Sequence, residues 1–247
     1  MIQSHGVTDI GCVRTKNEDR IFLDESLGLF IISDGMGGHS HGEMAAELAI
    51  STMQYYLESS RDRLDVTWPF GYNFELSIDA NRMATAIQLA NRQVWKQAEQ
   101  APEFAGMGTT IAAIIANGGN ITVGNVGDSR VYLWQGGSLQ QMTIDDTWVN
   151  AMSGRGGPQL SVPRNFLTQA AGSKDLVEVH TTEAELGAGD VVLICSDGLH
   201  SLVPDQDIAQ LLSAGKDLNA TASDLLRAAK SAGGEDNISI ILFALEA

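Results

Sequence analysis

The sequence predicts an α+β fold in which antiparallel sheets pack together and pairs of helices cover them. Three observations carry this prediction. Roughly ten short runs are rich in branched and aromatic residues and are separated by Gly, Asn or Asp turns. Apolar residues at helical spacing occur in two separate blocks of the chain. Strands and helices do not alternate regularly, which disfavours a doubly wound parallel sheet.

The strands are predicted where apolar and β-branched residues are bounded by turn residues, as at Asn117-Gly118-Gly119-Asn120. The amino-terminal group comprises strands at 7–13, 21–23 and 29–33. The later group comprises strands at 109–116, 120–126, 131–135, 139–142, 177–182, 191–195 and 238–245.

The helices are predicted where apolar residues recur every three to four positions. A first helix at 42–59 follows from this spacing, and a second at 78–100 has Ser77 as its N-cap and must end before Pro102. Two further helices fit 204–214 and 220–232, and the last ends at Gly233-Gly234. The two blocks supply one helix pair for each side of the sheets.

The length of 247 residues is enough for one large domain, and no break in composition divides the chain. We therefore expect a single domain over residues 1–247. The Gly-rich segment 147–172 fits no regular element. A stretch of this length inside a compact domain is typically functional or mobile, so we interpret it as a flap.

Charge and composition exclude several function classes. The 31 acidic and 15 basic residues give a net charge of −16, which repels nucleic acid and anionic membrane surfaces. No apolar run is long enough to span a bilayer, and the first residues lack an export pattern, so we expect a cytoplasmic protein. Cys12 and Cys195 lie beside apolar residues and are interpreted as reduced core thiols. We expect the protein to be a monomer.

Three apolar runs each end in a single aspartate, at Asp34, Asp128 and Asp197. An ionised carboxylate at the end of a buried strand requires a compensating partner, and several converging carboxylates are best compensated by a divalent cation. A set of oxygen ligands without a Cys or His cluster selects Mg²⁺ or Mn²⁺ over Zn²⁺. Other acidic residues near predicted strands extend this set: Glu18, Asp19 and Asp236.

Such a site suits the hydrolysis of phosphomonoesters. Two divalent ions bridged by a carboxylate and a water lower the pKa of that water toward ~7 and neutralise the oxygens of the transferring phosphoryl group. Arg14 lies three residues before Asn17. It is a candidate phosphate ligand because a guanidinium group donates two parallel hydrogen bonds to phosphate oxygens.

Six segments occur in the order and at the spacing of one protein family. They are GCVRTKNED at 11–19, DGMGGH at 34–39, GTT at 108–110, VGDSR at 126–130, CSDGL at 195–199 and EDNIS at 235–239. Through these segments the chain resembles the metal-dependent protein phosphatases, the type 2C Ser/Thr phosphatases, as a compact bacterial member. The resemblance covers nearly the whole chain.

The resemblance implies a four-layer α-β-β-α sandwich with two mainly antiparallel sheets flanked by helix pairs. It implies a dinuclear Mn²⁺ or Mg²⁺ centre at one end of the sandwich, where a bridging water attacks phosphoserine or phosphothreonine directly. The substrates would be phosphoproteins, and the enzyme would oppose a bacterial Ser/Thr kinase.

The resemblance also implies which residues bind the two ions. Asp34 would bridge them, while Asp197 and Asp236 would hold the first. The carbonyl of Gly35 would face the second ion. Glu18 and Asp19 would act on this second ion directly or through water.

Two further residues match family positions. Asp128, together with Asp197, matches the position of a weaker third ion, and Arg14 matches the phosphate-binding arginine. Thr109 and Thr110 are expected to hydrogen-bond to ligand residues rather than to bind metal. The implied catalytic set is Arg14, Asp34, Asp197 and Asp236.

The sequence departs from the family pattern at several positions. Residues 145–147 are Asp-Asp-Thr where relatives commonly have Asp-His-Ser, and Gln169 stands where an Arg is frequent. The segment before Gln169 is shorter than usual. Met36 occupies a position at which some relatives have a His, so the general acid is taken to be His39, with His41 or a metal-bound water as alternatives.

Other functions are compatible with parts of the sequence. The same metal site would serve a phosphatase of small phosphomonoesters, and a catalytically silent regulatory domain would also bind metal or a partner protein. Residues 38–42 match the Gly-x-Ser-x-Gly string of serine hydrolases. Four residues separate that string from the preceding strand, and the βα alternation of that fold is missing, so we interpret the match as chance.

Overall fold

The computed structural model describes residues 1–37, 41–61, 63, 66–153 and 166–246. Its strands are β1 (Ile2–Asp9), β2 (Asp19–Asp24), β3 (Leu29–Met36), β4 (Gly108–Thr109), β5 (Ile111–Asn117), β6 (Asn120–Val126), β7 (Arg130–Gln135), β8 (Ser138–Gln141), β9 (His180–Glu185), β10 (Val191–Cys195) and β11 (Ile238–Leu245). Its helices are α1 (His41–Ser60), α2 (Ile78–Ala98), α3 (Trp148–Ser153), α4 (Asp197–His200), α5 (Asp205–Ser213) and α6 (Leu218–Ser231), with a 3₁₀ turn at Pro102–Phe104.

The strands form two sheets in which neighbouring strands are antiparallel. The first sheet has the order β1-β11-β10-β7-β8, and the second has the order β2-β3-β5-β6-β9, with β4 paired to β3. The first and last strands of the chain are therefore neighbours in one sheet. Segments far apart in sequence are brought to a common end of the sandwich by this pairing.

Three apolar cores separate four layers, which confirms the predicted α-β-β-α sandwich. One core lies between α1, α2 and the second sheet, and another lies between the first sheet and α4, α5 and α6. The central core lies between the two sheets. There the rings of Phe30 and Phe243, one from each sheet, stack with centroids 4.4 Å apart and an interplanar angle of 8°.

Strand β3 begins with four apolar residues, 29–32, because both faces of this part of the strand are buried. Leu29 and Ile31 face the helices, whereas Phe30 and Ile32 face the opposite sheet. A strand that is covered on both sides has no solvent-facing positions and therefore shows a continuous apolar run instead of an alternation. This burial fixes the register that delivers Asp34 to the end of the sandwich.

The predicted helices agree with the structure to within two residues at each end, and Ser77 is the N-cap of α2, its hydroxyl accepting from the Ala80 N–H at 3.0 Å. The strand predicted at 7–13 is wrong. The observed β1 ends at Asp9, whose carboxylate accepts from Gly11 N–H at 2.8 Å, and Gly11 has a positive φ of 80°. This local turn ends the strand before Val13.

Three other details differ from the sequence prediction. The strand predicted at 177–182 begins at His180, and the short helices α3 and α4 were not predicted. Cys195 is buried but Cys12 is exposed, so the interpretation of Cys12 as a core thiol is wrong. No helix in the described part of the chain is both long and apolar enough to cross a membrane.

Candidate metal centre

The ends of several strands meet at one pocket of about 610 Å³. Asp34 is near the end of β3, and Asp128 is in the turn between β6 and β7. Asp197 lies two residues after the end of β10, and Asp236 precedes β11. The pocket lining includes the predicted residues Arg14, Glu18, Asp34, Gly35, Asp128, Asp197 and Asp236.

Asp19 lies behind this lining. It is the first residue of β2, and in the antiparallel register it pairs directly with Asp34 of β3. Only 1% of Asp19 is exposed. The Oδ2 atom of Asp19 accepts a hydrogen bond from Ser196 Oγ at 2.8 Å, and Ser239 N in turn donates to the same hydroxyl oxygen at 3.0 Å.

The backbone at Gly35 is packed too closely for any side chain. A Cβ atom there would lie 2.1 Å from the carbonyl oxygen of Gly42 and 2.7 Å from that of Glu18. Gly42 belongs to the first turn of α1, so the amino-terminal end of this helix lies against the end of β3. A larger residue at position 35 would push the helix away from the strand that carries Asp34.

Negative charge is concentrated at the site and is only partly compensated. Burial, reinforced by the carboxylates of Asp19 and Asp197, holds the pKa of Asp34 well above its usual range. Burial and the charge of Asp128 raise the pKa of Asp197 to about 7. Burial raises the pKa of Asp128 to about 6, with a smaller contribution from Asp145. Several carboxylates with raised pKa values in one pocket indicate a site made for a cation.

Two buried carboxylate oxygens support the same interpretation. Among the described residues, Oδ1 of Asp19 and Oδ1 of Asp197 have no hydrogen-bond partner. A buried, unpartnered carboxylate oxygen is costly and calls for a ligand such as a divalent cation. Because the nearby donors are carboxylate and carbonyl oxygens, the residues fit Mg²⁺ or Mn²⁺.

The side chains are not yet arranged as a finished ligand set. No three His, Cys, Asp or Glu side chains in the described ranges are disposed to hold a metal ion. Their present partners explain this arrangement. Asp236 Oδ2 bonds to Arg14 Nη2 at 2.6 Å, and Asp19 Oδ2 bonds to Ser196.

Arg14 is well placed for an anionic ligand. Its side chain is 53% exposed and lies at the pocket, on the loop that joins β1 to β2. Its hydrogen bond to Asp236 raises its pKa further, so the guanidinium is charged at all relevant pH values.

Asn237 holds the loop that carries Arg14. Its Nδ2 donates to the carbonyl oxygens of Ile10 (3.1 Å) and Lys16 (2.9 Å), and its Oδ1 accepts from Glu18 N at 2.8 Å. The residue after Asp236 therefore fixes the position of both Arg14 and Glu18. The sequence does not mark Asn237 as a supporting residue of the site, although it lies within the EDNIS segment.

Thr109 and Thr110 hold the backbone of Asp34, as expected. Thr110 N donates to the Asp34 carbonyl oxygen at 2.9 Å, and Asp34 N donates to Thr110 Oγ1 at 3.1 Å. Thr109 Oγ1 donates to the same carbonyl oxygen at 2.8 Å. Both threonines are buried, so these bonds are shielded from water.

His200 supports Asp128 from behind. Its Nε2 lies 3.0 Å from the carbonyl oxygen of Asp128. Burial lowers the pKa of His200 to about 4, so the ring is neutral near pH 7 and donates its single N–H to this oxygen. The sequence contains no pattern that marks His200 as part of the site.

The histidine and flap assignments are only partly covered by the structure. His39 and residues 154–165 of the predicted flap lie outside the described residues. His41 packs its ring edge-on against Phe104, with centroids 5.0 Å apart, and does not line the pocket. At the base of the flap segment, Leu167 lines the pocket and pairs with Thr147 in an isolated bridge.

A β-sandwich between helix layers, with carboxylates and an arginine gathered at one end of its sheets, defines the class of metal-dependent phosphohydrolases. Within this class the family is shown by comparison with known proteins. The sequence model of the protein phosphatase 2C family matches residues 13–233, and the chain belongs to that family.

Individual relatives are similar over almost the full chain. The serine/threonine phosphatase stp of Listeria welshimeri is 33% identical over 247 residues, covering 95% of this chain and 92% of the relative. The structure of the S. agalactiae serine/threonine phosphatase superposes with a TM-score of 0.85 at 33% identity, covering all of both chains. The catalytic domain of the phosphatase PstP, in complex with two manganese ions, superposes with a TM-score of 0.81 at 30% identity, covering 98% of this chain and 97% of that one.

Proposed function

We propose that this protein is a metal-dependent Ser/Thr phosphoprotein phosphatase. The observation that carries the proposal is the single pocket in which Arg14 and the carboxylates of Asp34, Asp128, Asp197 and Asp236 meet. The similar proteins are serine/threonine phosphatases, and one of them holds two manganese ions in its structure. The same metals, Mn²⁺ or Mg²⁺, fit the oxygen donors of this pocket.

We propose the following roles for the acidic residues. Asp34 bridges two ions, Asp197 and Asp236 bind the first, and the Gly35 carbonyl faces the second. When bound, the ions lower the pKa of a water molecule and neutralise the phosphoryl oxygens. The raised pKa values of Asp34 and Asp197 support these roles, because a cation offsets the burial and the carboxylate repulsion that raise them.

The remaining ligands complete this proposal. Glu18 and Asp19 act on the second ion directly or through water, and Asp128 with Asp197 serves a weaker third ion. The buried Oδ1 of Asp19, which is without a partner among the described residues, supports its part.

Arg14 binds and orients the phosphate. It is charged, half exposed and located at the pocket, and its guanidinium group can face phosphate oxygens with two N–H groups. His39 is our candidate for protonating the serine or threonine oxygen that leaves; it is supported by its position five residues after Asp34 in the sequence.

The wider biological setting is also a proposal. We propose that residues 1–247 form one catalytic domain with a flap at 147–172, acting as a cytoplasmic monomer that opposes a Ser/Thr kinase. Cys12 and Cys195 are unpaired, as is usual in a reducing compartment. The net charge of −16 argues against nucleic acid and membrane surfaces as partners.

Phosphate release from a phosphothreonine peptide, measured with and without Mn²⁺, tests the proposal. We expect release only with Mn²⁺ or Mg²⁺ and none after thorough chelation. Small sugar phosphates serve as the comparison substrates. A large preference for them would identify a small-molecule phosphatase, and no turnover of either substrate would identify a silent binding domain.

A further inference from the structure

Asp146 connects three segments around the pocket. Its Oδ2 accepts hydrogen bonds from Gly127 N at 2.8 Å and from Gln169 Nε2 at 2.9 Å, and its Oδ1 lies 2.9 Å from Nε2 of His180. Only 9% of Asp146 is exposed. Both carboxylate oxygens are thus engaged, and the two bonds to Oδ2 are buried and shielded from water.

The contact with Gly127 holds the peptide next to Asp128. In addition to the bond to its N–H, the Gly127 carbonyl oxygen accepts from Asp146 N at 2.9 Å. Gly127 has a positive φ of 98°, and a Cβ atom there would lie 2.7 Å from Thr110 Cγ2. Glycine is free to adopt other backbone conformations. Hydrogen bonds to both the N–H and the carbonyl oxygen of Gly127 hold it in this turn, and this fixes the direction of the carboxylate that follows, Asp128.

The contact with the flap base holds a second part of the pocket lining. Thr168 N donates to the Asp146 carbonyl oxygen at 2.7 Å, directly after Leu167, which lines the pocket. Gln169 is itself fixed, because its amide bonds to both the N–H and the carbonyl oxygen of Glu178. Asp146 and Gln169, two positions at which the sequence departs from the family pattern, are therefore bonded to each other.

We propose that Asp146 is a positioning residue that sets the direction of the Asp128 carboxylate and the position of the Leu167 wall together. This inference rests on the proposed function, because it assigns Asp128 to metal binding and Leu167 to the substrate side of the pocket. Residues behind metal ligands typically change metal affinity or activity by about 10- to 100-fold when they are removed.

The first test compares Asp146→Ala with Asp190→Ala. Asp190 is a matched control, because its Oδ2 also accepts from a glycine N–H (Gly187, 2.7 Å) and a glutamine amide (Gln135, 2.6 Å). Asp190 is 8% exposed and precedes β10. It therefore lies at the end of the strand opposite to the one after which the site residue Asp197 follows. Both variants lose an equivalent buried carboxylate. Only Asp146→Ala also loses contacts with residues around the site.

We expect Asp146→Ala to lower kcat about 10-fold and to raise the Mn²⁺ concentration needed for half of the melting-temperature shift. Asp190→Ala should change neither quantity by more than about 2-fold. Asp146→Asn should retain most of the activity, since its amide oxygen still accepts from Gly127 and Gln169. Equal effects of Asp146→Ala and Asp190→Ala in folded protein would overturn the inference.

A double-mutant cycle separates positioning from general destabilisation. If Asp146 acts through Asp128, Asp146→Ala should add little to the loss caused by Asp128→Asn, whereas independent effects would multiply.

Gln169→Leu tests the link to the flap base and serves alone if Asp146→Ala does not fold. It should raise KM for the phosphopeptide by about 3-fold or more and leave the Mn²⁺ midpoint unchanged.

An unchanged KM in folded Gln169→Leu would remove the coupling to Leu167. These outcomes are distinct from failure of the proposed function. A wild-type protein that shows no Mn²⁺-dependent phosphate release contradicts the function itself, whereas an active wild type with unaffected Asp146 variants contradicts only the role of Asp146.

Discussion

Arg14 and Asp236 form an ion pair at the mouth of the pocket, with Nη2 of the arginine 2.6 Å from Oδ2 of the aspartate. The pair joins the proposed phosphate ligand to a proposed metal ligand. A cation that binds Asp236 competes with this pair, so the guanidinium gains freedom to face a phosphate when the carboxylate is neutralised by metal. We therefore expect phosphate binding and metal binding to be linked through these two side chains.

Arg14→Ala should raise KM for a phosphothreonine peptide and reduce kcat/KM by about 10- to 100-fold. A hydrogen bond to a charged group contributes roughly 1.5–3 kcal/mol, which corresponds to this range. Steady-state kinetics at saturating Mn²⁺ provide the measurement. Arg92→Ala is the control, because Arg92 packs over Phe70 and lines no part of the pocket. An unchanged KM in the Arg14 variant would remove its assigned role.

Asp197→Asn should lose Mn²⁺ binding and turnover together, since an amide is a far weaker ligand for a hard cation than a carboxylate. Calorimetric Mn²⁺ titration and phosphate release report the two losses independently. Asp190→Asn, a buried carboxylate at the other end of β10, should leave both intact. Full Mn²⁺ affinity in Asp197→Asn would contradict the ligand assignment.

The stability of the protein in chelator should fall as the pH rises. Asp197 has a pKa of about 7 in the folded protein against 3.8 as its ordinary value, so the folded state binds more protons. Its contribution to stability is present below about pH 4 and is lost as the pH rises through about 7. Asp34 and Asp128 act in the same direction.

Melting temperatures from pH 4 to 8 in chelator, compared between wild type and Asp197→Asn, measure this effect. We expect the variant to be more stable than wild type by a few degrees at pH 8, and the difference to disappear near pH 4. Mn²⁺ should raise the melting temperature of the wild type and reverse the order. A difference that does not depend on pH would contradict the raised pKa of Asp197.

Phe243→Ala should destabilise the fold by about 3–5 kcal/mol, because it removes a buried ring and its stacking contact with Phe30 between the sheets. Urea denaturation measures the change. Phe74→Ala is the control, since Phe74 is 91% exposed and should alter stability by less than about 0.5 kcal/mol. Equal effects of the two substitutions would show that the sheets do not share the described core.

Much of the fold was predictable because burial leaves a strong pattern. Residues 29–32 of β3 are buried on both faces and form an unbroken apolar run, so the position of Asp34 shortly after that run was evident, although the strand itself continues to Met36. Strand β1 was placed too late because it is an edge strand of mixed polarity whose only partner, within the described sheets, is the distant β11. Its extent depends on that pairing, which is absent from the local sequence.

The candidate site was predictable in its acidic residues but not in its supporting contacts. An aspartate that follows an apolar run is conspicuous, as at Asp128 and Asp197. That Asp19 pairs with Asp34 depends on strand register, and nothing in the local pattern indicates it. His200 and Asn237 were missed because each bonds to the backbone of a loop that is remote in sequence.

The pairing of β1 with β11 has a consequence for biosynthesis. The segment with Arg14, Glu18 and Asp19 is translated early, but Asp236 and β11 emerge only after nearly all the other described elements. Within its sheet β1 has β11 as its neighbour, so its sheet hydrogen bonds form only once that strand has been synthesised. We therefore expect a chain that lacks β11 to leave β1 without its sheet neighbour and the candidate centre incomplete.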